Sequence, residues 1–189
     1  MGLKSTADRY GAMVVSIHWL SASLIVVLIA SGFRAANTVD PVAKAAILRV
    51  HVPVAIAVLA LTIVRIGWRW AFDRKPNPVA WMPRWQEFTA QVVHILFYVI
   101  ILGMIASGIG MMALGGAAPM IFGGEGALPD FWKYPPRVPH GVGARVLLAL
   151  LVFHAGAALY HHFVRRDGLL SRMWFMGGSR SEPQQRGGS

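Results

Sequence analysis

Four long apolar runs dominate the hydrophobic pattern of this chain. They cover about residues 13–33, 48–70, 90–114 and 141–164. Each is about 20 residues long or slightly more, which lets an α-helix cross a hydrocarbon layer about 30 Å thick with some tilt. None contains Asp or Glu, and their arginines lie near the ends, where a long side chain reaches the interface. The pattern predicts an all-α, membrane-embedded four-helix bundle formed by residues 1–176.

The segments outside these runs predict less regular structure. Residues 115–139 form a connection rich in Gly and Pro, and a connection of this length in a compact bundle usually has a function or forms a lid. A short apolar stretch with a basic flank, at about 166–176, predicts an interfacial helix. The composition of residues 177–189 predicts a disordered tail. The N-terminal residues show no small-residue cleavage site after a short apolar core, so we expect a retained first helix.

Composition favours a membrane protein over a soluble one. Hydrophobic residues make up 56% of the chain and charged residues 14%, whereas a soluble domain has about 25% charged residues. The net charge of +10 raises the possibility of a nucleic-acid partner, but the basic residues lie between apolar runs rather than along one polar face. We therefore expect no nucleic-acid binding. The absence of cysteine excludes disulfides, thiolate-ligated haem and covalently attached haem.

The distribution of Lys and Arg predicts the orientation of the bundle. The first tail, the second connection with its adjoining helix end and the last tail hold twelve of these residues. The first and third connections, with their adjoining helix ends, hold six. Because cytoplasmic segments carry the excess of basic residues, we expect both termini on the cytoplasmic side of the bacterial inner membrane.

Histidine spacing indicates the chemistry. His140 and His154 are fourteen residues apart in the fourth run, which places them on nearly one helix face and about 21 Å apart along the axis. The predicted orientation places His51 at the periplasmic depth of His140 and His18 at the cytoplasmic depth of His154. Neutral imidazole is a good iron ligand, and a deep ionisable residue is a functional candidate. A lone histidine in a membrane helix could equally be a hydrogen-bond donor, but four at matched depths predict two non-covalent haems with two axial histidines each.

A second group of polar residues is expected near the cytoplasmic haem. His161 lies seven residues after His154, on nearly the same helix face, and His94 enters the third run at a similar depth. With Ser16 they could form a small polar site. The alternative, that His94 and His161 only contact water or lipid headgroups, remains open at this point and is favoured for His162.

Short motifs along the chain resemble the bacterial cytochrome b561 family, and in particular its short di-haem members of the superoxide oxidase type. The motifs are Ser16-Ile17-His18-Trp19, His51, Val64-Arg65-Ile66-Gly67-Trp68-Arg69, His94-Ile95-Leu96-Phe97-Tyr98, His140 and Ala157-Ala158-Leu159-Tyr160-His161-His162. The resemblance covers about residues 8–176, and the order of the four histidines is its specific part. One departure is His140-Gly141, where the family pattern has His-Glu.

The resemblance implies a four-helix membrane bundle that holds two b haems. The iron ligands that it implies are His18 and His154 for the cytoplasmic haem, and His51 and His140 for the periplasmic haem. The quinone site that it implies, beside the cytoplasmic haem, comprises Ser16, His94 and His161.

The resemblance to the superoxide oxidase members implies an enzyme that transfers electrons from periplasmic superoxide to ubiquinone, and we expect His94 and His161 to act as proton relays. The periplasmic segments hold six Lys and Arg against three acidic residues, a local charge of +3 that would attract a small anion. The same arginines could instead anchor helix ends or neutralise haem propionates. One alternative function is a b-haem subunit that links a dehydrogenase or hydrogenase partner to the quinone pool, docked through residues 115–139 or the cytoplasmic tail. Another is a haem-free transporter or sensor that uses histidines as proton relays.

Overall fold

The computed structural model describes residues 2–77, 79, 81–124 and 126–175, and this part of the chain consists of helices, turns and irregular segments without strands. Its four long helices are α1 (Ala12–Asn37), α2 (Pro41–Ala71), α3 (Arg84–Gly115) and α4 (Arg137–Tyr160). All four are long and apolar enough to cross a membrane. The predicted class, an all-α fold with four candidate membrane-spanning helices, is confirmed.

Helices α1, α2 and α3 extend past both ends of the apolar runs that predict them, because local signals add residues there, whereas α4 begins before its run and ends at Tyr160, within it. α2 begins at Pro41, where a missing backbone N–H is harmless, and the Asp40 carboxylate accepts a first-turn N–H at 2.8 Å. α3 ends before Gly116, whose φ of 57° is the left-handed conformation that glycine adopts readily. α4 begins at Arg137, so His140 lies in its first turn.

The helices pack in two closely associated pairs. α1 packs along α2 and α3 packs along α4, whereas α2 contacts α3 less and α4 contacts α1 only slightly. An apolar layer crosses the middle of the bundle and takes side chains from all four helices. Its members are Ile25, Val58 and Leu147, with Leu24, Leu28, Ile29, Phe97, Ile100 and Ile101 packed against them. This apolar layer divides the bundle into two ends.

The two ends are named here by the segments that form them. The loop end contains the α1–α2 connection and the residues between α3 and α4. The terminal end contains the chain segment before α1, the α2–α3 connection and the residues after α4. Every histidine discussed above lies on one side or the other of the apolar layer.

Arg172 joins the three segments of the terminal end. Its side chain donates to the carbonyl oxygens of Asp8 at 2.6 Å and Asn77 at 2.9 Å. Next to it, the indole N–H of Trp19 donates to the Met173 carbonyl at 2.8 Å. These hydrogen bonds give partners to backbone carbonyls that lie outside regular secondary structure, and a buried or interfacial carbonyl needs such a partner.

The interfacial helix predicted for about 166–176 is not continuous. After Tyr160 the chain makes a π-helical turn over His161–Arg165, and then a short 3-10 turn over Leu170–Met173. Arg166 (φ 51°) and Gly168 (φ 74°) are both left-handed, a conformation that ends a right-handed helix. Residue 176 and the predicted tail at 177–189 lie outside the described residues.

The long connection at the loop end contains two short turns rather than irregular chain alone. A π-helical turn covers Pro119–Gly123 and a 3-10 turn covers Phe131–Lys133. Ile121 is fully buried, and its carbonyl accepts a hydrogen bond from Arg49 Nε. The Asp130 carboxylate caps the second turn. The connection is thus packed onto α2 by both an apolar side chain and a guanidinium.

Large apolar side chains face outward along the helices. Phe153 on α4 is 77% exposed, and Ile63 on α2 and Ile95 on α3 are each 60% exposed. A contiguous apolar surface of this kind is unfavourable in water. It suits a bundle that is solvated by lipid.

Candidate functional site

The loop end brings His51 of α2 and His140 of α4 together. Their ring centres are 6.4 Å apart, although α2 and α4 do not pack directly against each other. The two rings therefore face each other across the bundle interior rather than within a helix contact. This is the arrangement that matched depths led us to expect.

The hydrogen bonds of His140 determine which ring nitrogen carries the proton. Nδ1 lies 3.1 Å from the Met104 carbonyl oxygen, which only accepts, so Nδ1 donates. Ser107 Oγ, 2.9 Å from the same nitrogen, gives its own proton to the Met104 carbonyl at 2.8 Å. With Nδ1 protonated, the Nε2 lone pair is available to a metal.

His51 reaches the same protonation state through one serine. Ser31 Oγ donates to the Val27 carbonyl at 2.7 Å, so its oxygen accepts from His51 Nδ1 at 2.9 Å. The Nε2 of His51 is again left without a proton. Both rings of the loop-end pair thus present the nitrogen that a metal ligand requires.

The terminal end brings three histidines together. The ring of His154 on α4 lies 6.2 Å from that of His18 on α1 and 5.7 Å from that of His94 on α3. Phe97 also contacts His154, at 5.5 Å between ring centres. The two rings of the loop-end pair come from helices that are not closely packed against each other. The same holds for His18 and His154, because α1 and α4 barely touch, whereas α3 packs directly on α4. The His18–His154 pair is therefore the counterpart of the loop-end pair. His94 lies beside that pair.

The two pairs are similar in spacing and in chemistry. Their ring centres are 6.2 Å apart for His18 and His154 and 6.4 Å apart for His51 and His140. Neutral imidazole nitrogens are among the ligands that haem iron takes in proteins. Among the described residues, no three His, Cys, Asp or Glu side chains converge as a metal cage. Each pair would thus hold a haem through its two imidazoles, and the bound haem would supply one-electron redox chemistry.

Basic side chains line a small cavity at the terminal end. Arg65, Arg69 and Lys75 line it, with Asp73 as the acidic member. The indole N–H of Trp68 lines the same cavity, and this buried nitrogen has no acceptor within the described part of the chain. Arg65 also lies near the rings of the terminal-end histidines. The cavity is only about 10 Å³ in volume, so its relevant feature is a cluster of basic side chains and an unsatisfied donor rather than room for a ligand.

The arginines of the loop end are mostly engaged by the protein itself. Arg49 donates to the Ile121 carbonyl, Arg137 stacks over the Trp132 ring at 4.3 Å, and Arg145 donates to the Gly141 carbonyl at 2.9 Å. These contacts favour the helix-anchoring interpretation for three of the basic side chains. Because the partners are neutral carbonyl groups and an aromatic ring, these contacts do not neutralise the guanidinium charges.

His161 pairs with an acid that the sequence analysis missed. Its Nδ1 donates to the Asp167 carboxylate at 2.5 Å, and this carboxylate also accepts the Leu169 N–H at 3.1 Å. Arg165 Nε lies 3.6 Å from the same carboxylate. Burial alone would raise the pKa of the Asp167 carboxyl, but the His161 and Leu169 hydrogen bonds and the Arg165 charge outweigh burial and lower that pKa. Asp167 is thus held ionised and orients the imidazole.

One sequence signal could have pointed to Asp167. It is the only acidic residue between Asp130 and Glu182, and it directly follows two arginines at the end of an apolar run. A single carboxylate close to several histidine and arginine side chains is expected to form a hydrogen bond or an ion pair with one of those side chains.

The residues expected at a quinone site do not form one hydrogen-bonded cluster. Ser16 and His94 are both exposed on the bundle surface, on α1 and α3. His161 bonds Asp167 and faces the Trp81 ring, 6.1 Å away between centres. Within the described ranges, no hydrogen bond links Ser16, His94 and His161. Their common feature is location at the terminal end.

Comparison with known proteins identifies relatives along nearly the whole chain. A family model described as prokaryotic cytochrome b561 matches residues 9–176. Cytochrome b561 homolog 1 of Escherichia coli (strain K12) is 31% identical over 104 residues, which cover 52% of this chain and 58% of that relative. Cytochrome b561 homolog 2 of the same organism is 26% identical over 184 residues, covering 92% and 95% respectively. A probable superoxide oxidase, CybB, of Yersinia pestis is 28% identical over 179 residues, covering 87% and 95%.

Proposed function

The chain belongs to the prokaryotic cytochrome b561 family, and from this premise we propose that it is a di-haem enzyme that oxidises superoxide and reduces ubiquinone. Its membership makes it a multi-pass membrane cytochrome of the b type that transfers electrons. The number of haems, the donor, the acceptor and the orientation in the bacterial inner membrane are the proposed parts. We propose that the terminal end is cytoplasmic and the loop end periplasmic.

The observation that carries the proposal is the presence of two similarly spaced imidazole pairs on opposite sides of the apolar layer. His51 and His140 would hold one haem, and His18 and His154 the other. Haem iron held between two histidines has no open coordination position and passes single electrons. The chain positions the two pairs along α4 about 21 Å apart by helix rise.

The loop end would attract the donor. In the overall reaction, two superoxide anions each give up one electron and leave as O2. Arg34 on the α1 surface is exposed, and Arg49, Arg137 and Arg145 keep their charge while bonded to the protein. A positive rim raises the local concentration and arrival rate of a small anion.

The terminal end would serve the acceptor. Ubiquinone takes up the two electrons and two protons and becomes ubiquinol, so it needs a proton source near its carbonyl oxygens. His94 and His161 are the proposed proton relays, and Ser16 is the proposed further contact to the quinone. Asp167 supports His161 in this role because it holds the Nδ1 proton and leaves Nε2 to exchange a proton with quinone or water.

The direct test uses the purified full-length protein in detergent or lipid. We expect two b haems per chain by pyridine haemochrome assay, rapid haem reduction by enzymatically generated superoxide, and reoxidation on addition of a soluble ubiquinone analogue. Superoxide dismutase should abolish the reduction. One haem or none would contradict the di-haem proposal, and two haems without superoxide-dependent reduction would contradict only the choice of donor.

Orientation can be tested separately because the chain has no cysteine. A single cysteine introduced at Lys4 should be protected from a membrane-impermeant thiol reagent in intact cells, and one introduced at Lys133 should react. The reverse pattern would contradict the proposed topology. Each single-cysteine variant serves as the control for the other.

A second candidate, a haem subunit for a soluble redox partner, is favoured by one observation. Phe122 and Trp132 at the loop end are 54% and 69% exposed, and exposed aromatic side chains are common in docking surfaces. Stoichiometric co-purification of a dehydrogenase or hydrogenase, lost in a Trp132→Ala variant, would support this candidate over the superoxide reaction.

A further inference from the structure

A Ser-Gly dipeptide contacts each histidine of the loop-end pair. On α1, Ser31 bonds His51 and is followed by Gly32; on α3, Ser107 bonds His140 and is followed by Gly108. In both cases the serine oxygen lies 2.9 Å from Nδ1. In both cases the serine donates its own proton to a carbonyl of its own helix. The two contacts are alike although they come from different helices.

The glycines allow the neighbouring helix to approach each ring closely. A Cβ added at Gly32 would lie 3.2 Å from Cε1 of His51, closer than nearly all real Cβ contacts. A Cβ added at Gly108 would lie 3.4 Å from Cε1 of His140, at the edge of ordinary contact. Each ring therefore contacts a serine hydroxyl at Nδ1 and, at the neighbouring Cε1 atom, the backbone of a glycine, which has no side chain.

The helix that supplies each dipeptide is the one packed against the histidine's own helix. α1 packs along α2 and supports His51, and α3 packs along α4 and supports His140. Each support thus comes from within the closely packed helix pair, whereas the partner ring lies on a helix of the other pair. At the terminal end, His18 and His154 have no counterpart of these serine contacts among the described residues.

We propose that Ser31-Gly32 and Ser107-Gly108 are matched positioning residues that set the ring orientation and the donor strength of His51 and His140 toward the loop-end haem iron, with the Met104 carbonyl as a further acceptor for His140 Nδ1. The inference rests on the proposed function in so far as it requires a haem at this pair. A hydrogen bond donated by Nδ1 makes the other ring nitrogen a stronger electron donor and fixes the ring orientation. A stronger donor stabilises ferric iron, so these contacts keep the reduction potential of the loop-end haem low.

The test is an optical redox titration of Ser31→Ala, Ser107→Ala and the double variant, each as purified full-length protein. We expect two haems in every variant, with one of the two midpoint potentials shifted upward and the other unchanged. The shift should be largest in the double variant. Ser31→Thr and Ser107→Thr, which keep the hydroxyl, should restore the original potential.

Ser23→Ala provides the matched control because Ser23 is an exposed serine on the same helix as Ser31. It should leave both potentials unchanged. The low-spin ferric electron paramagnetic resonance signal of one haem should also move in the alanine variants, since ring orientation and ligand strength determine its g-values. This readout does not depend on enzyme activity.

Two outcomes would overturn the inference. The first is an alanine double variant with both potentials unchanged, and the second is an equal shift of both haems. Gly32→Ala adds an independent check, because displacement of the His51 ring should perturb the same haem even if a serine variant folds poorly. If the wild-type protein lacks two haems, the proposed function fails instead, so the two failures are distinguishable.

Discussion

The two histidine pairs have almost the same spacing but very different surroundings. At the loop end, each ring is held by a serine hydroxyl that is itself bonded to a helix carbonyl. At the terminal end, His154 is surrounded by other rings, those of His18, His94 and Phe97, and a guanidinium lies nearby. Similar ring spacing can thus be built either by fixed hydrogen bonds or by packing among aromatic and ionisable side chains.

The difference suits the two reactions proposed for the two ends. An anion that gives up an electron needs only a rigid haem edge and a positive surface. Quinone reduction needs protons, and the terminal end holds His94, His161 and Asp167 close to the surface. The predictions below test whether these two environments are really distinct in function.

The largest effect is expected from removing His154, one of the two proposed haem ligands at the terminal end. His154→Ala should reduce the haem count from the proposed two to one and abolish most quinone reduction, because only His18 of the proposed pair would remain. His94→Ala, which removes the neighbouring ring, should retain both haems. Loss of a haem in His94→Ala with retention in His18→Ala would reassign the partner of His154.

A smaller effect is expected at the proposed proton relay. His161→Ala should retain both haems and their potentials but slow quinone reduction by about tenfold or more, since a positioned acid or base typically contributes at least that factor. His162→Ala is the matched control, because His162 is exposed and its ring contacts Phe163. Unchanged turnover with quinone in His161→Ala would exclude His161 from the quinone site.

The Asp167 carboxylate gives a prediction with a defined pH dependence. Its pKa is lowered in the folded protein, so its stabilising contribution is present above the ordinary carboxyl pKa of about 3.9 and is lost as the pH falls through the lower folded value. Asp167→Asn should therefore lower the free energy of unfolding by about 1–3 kcal/mol at pH 7 and pH 5 alike, as expected for loss of a hydrogen bond to a charged group, and this would be measured as a lower thermal midpoint. The difference from wild type should shrink below about pH 4. A difference that disappears between pH 7 and pH 5 would contradict this assignment.

The smallest effect is expected from single charges at the loop end. Arg34→Gln should lower the rate of superoxide-driven haem reduction by about twofold at low salt, and less at high salt, because exposed charges are screened over about 10 Å at 0.1 M salt. Arg84→Gln at the terminal end is the control and should have no effect on this rate. An equal loss in both variants would show that net charge, rather than its location, controls the reaction.

The sequence predicted the parts of the molecule that depend on local patterns. The apolar runs correspond to the four helices because backbone groups in lipid must be satisfied within the helix itself. The spacing of His140 and His154 follows from helix geometry, and the structure brings each close to the predicted partner ring. The ligand assignment itself remains a prediction.

Other features could not be predicted from the sequence because they depend on contacts between distant parts of the chain. Ser31 and Ser107 are ordinary helix residues until the neighbouring helix brings a histidine within 2.9 Å. Arg172 joins segments that are 95 or more residues away from it in sequence. The left-handed backbone at Arg166 is unfavourable for most non-glycine residues, so helical periodicity alone could not locate this break.

The apolar layer around Ile25, Val58 and Leu147 has a consequence for the energetics of the whole membrane. A hydrated proton needs a continuous file of water or polar groups to pass, and closely packed hydrocarbon excludes both. An electron can tunnel across a thin dry barrier of the same material. With the proposed haem at each end, the bundle would let electrons through while preserving the proton gradient on which the cell depends.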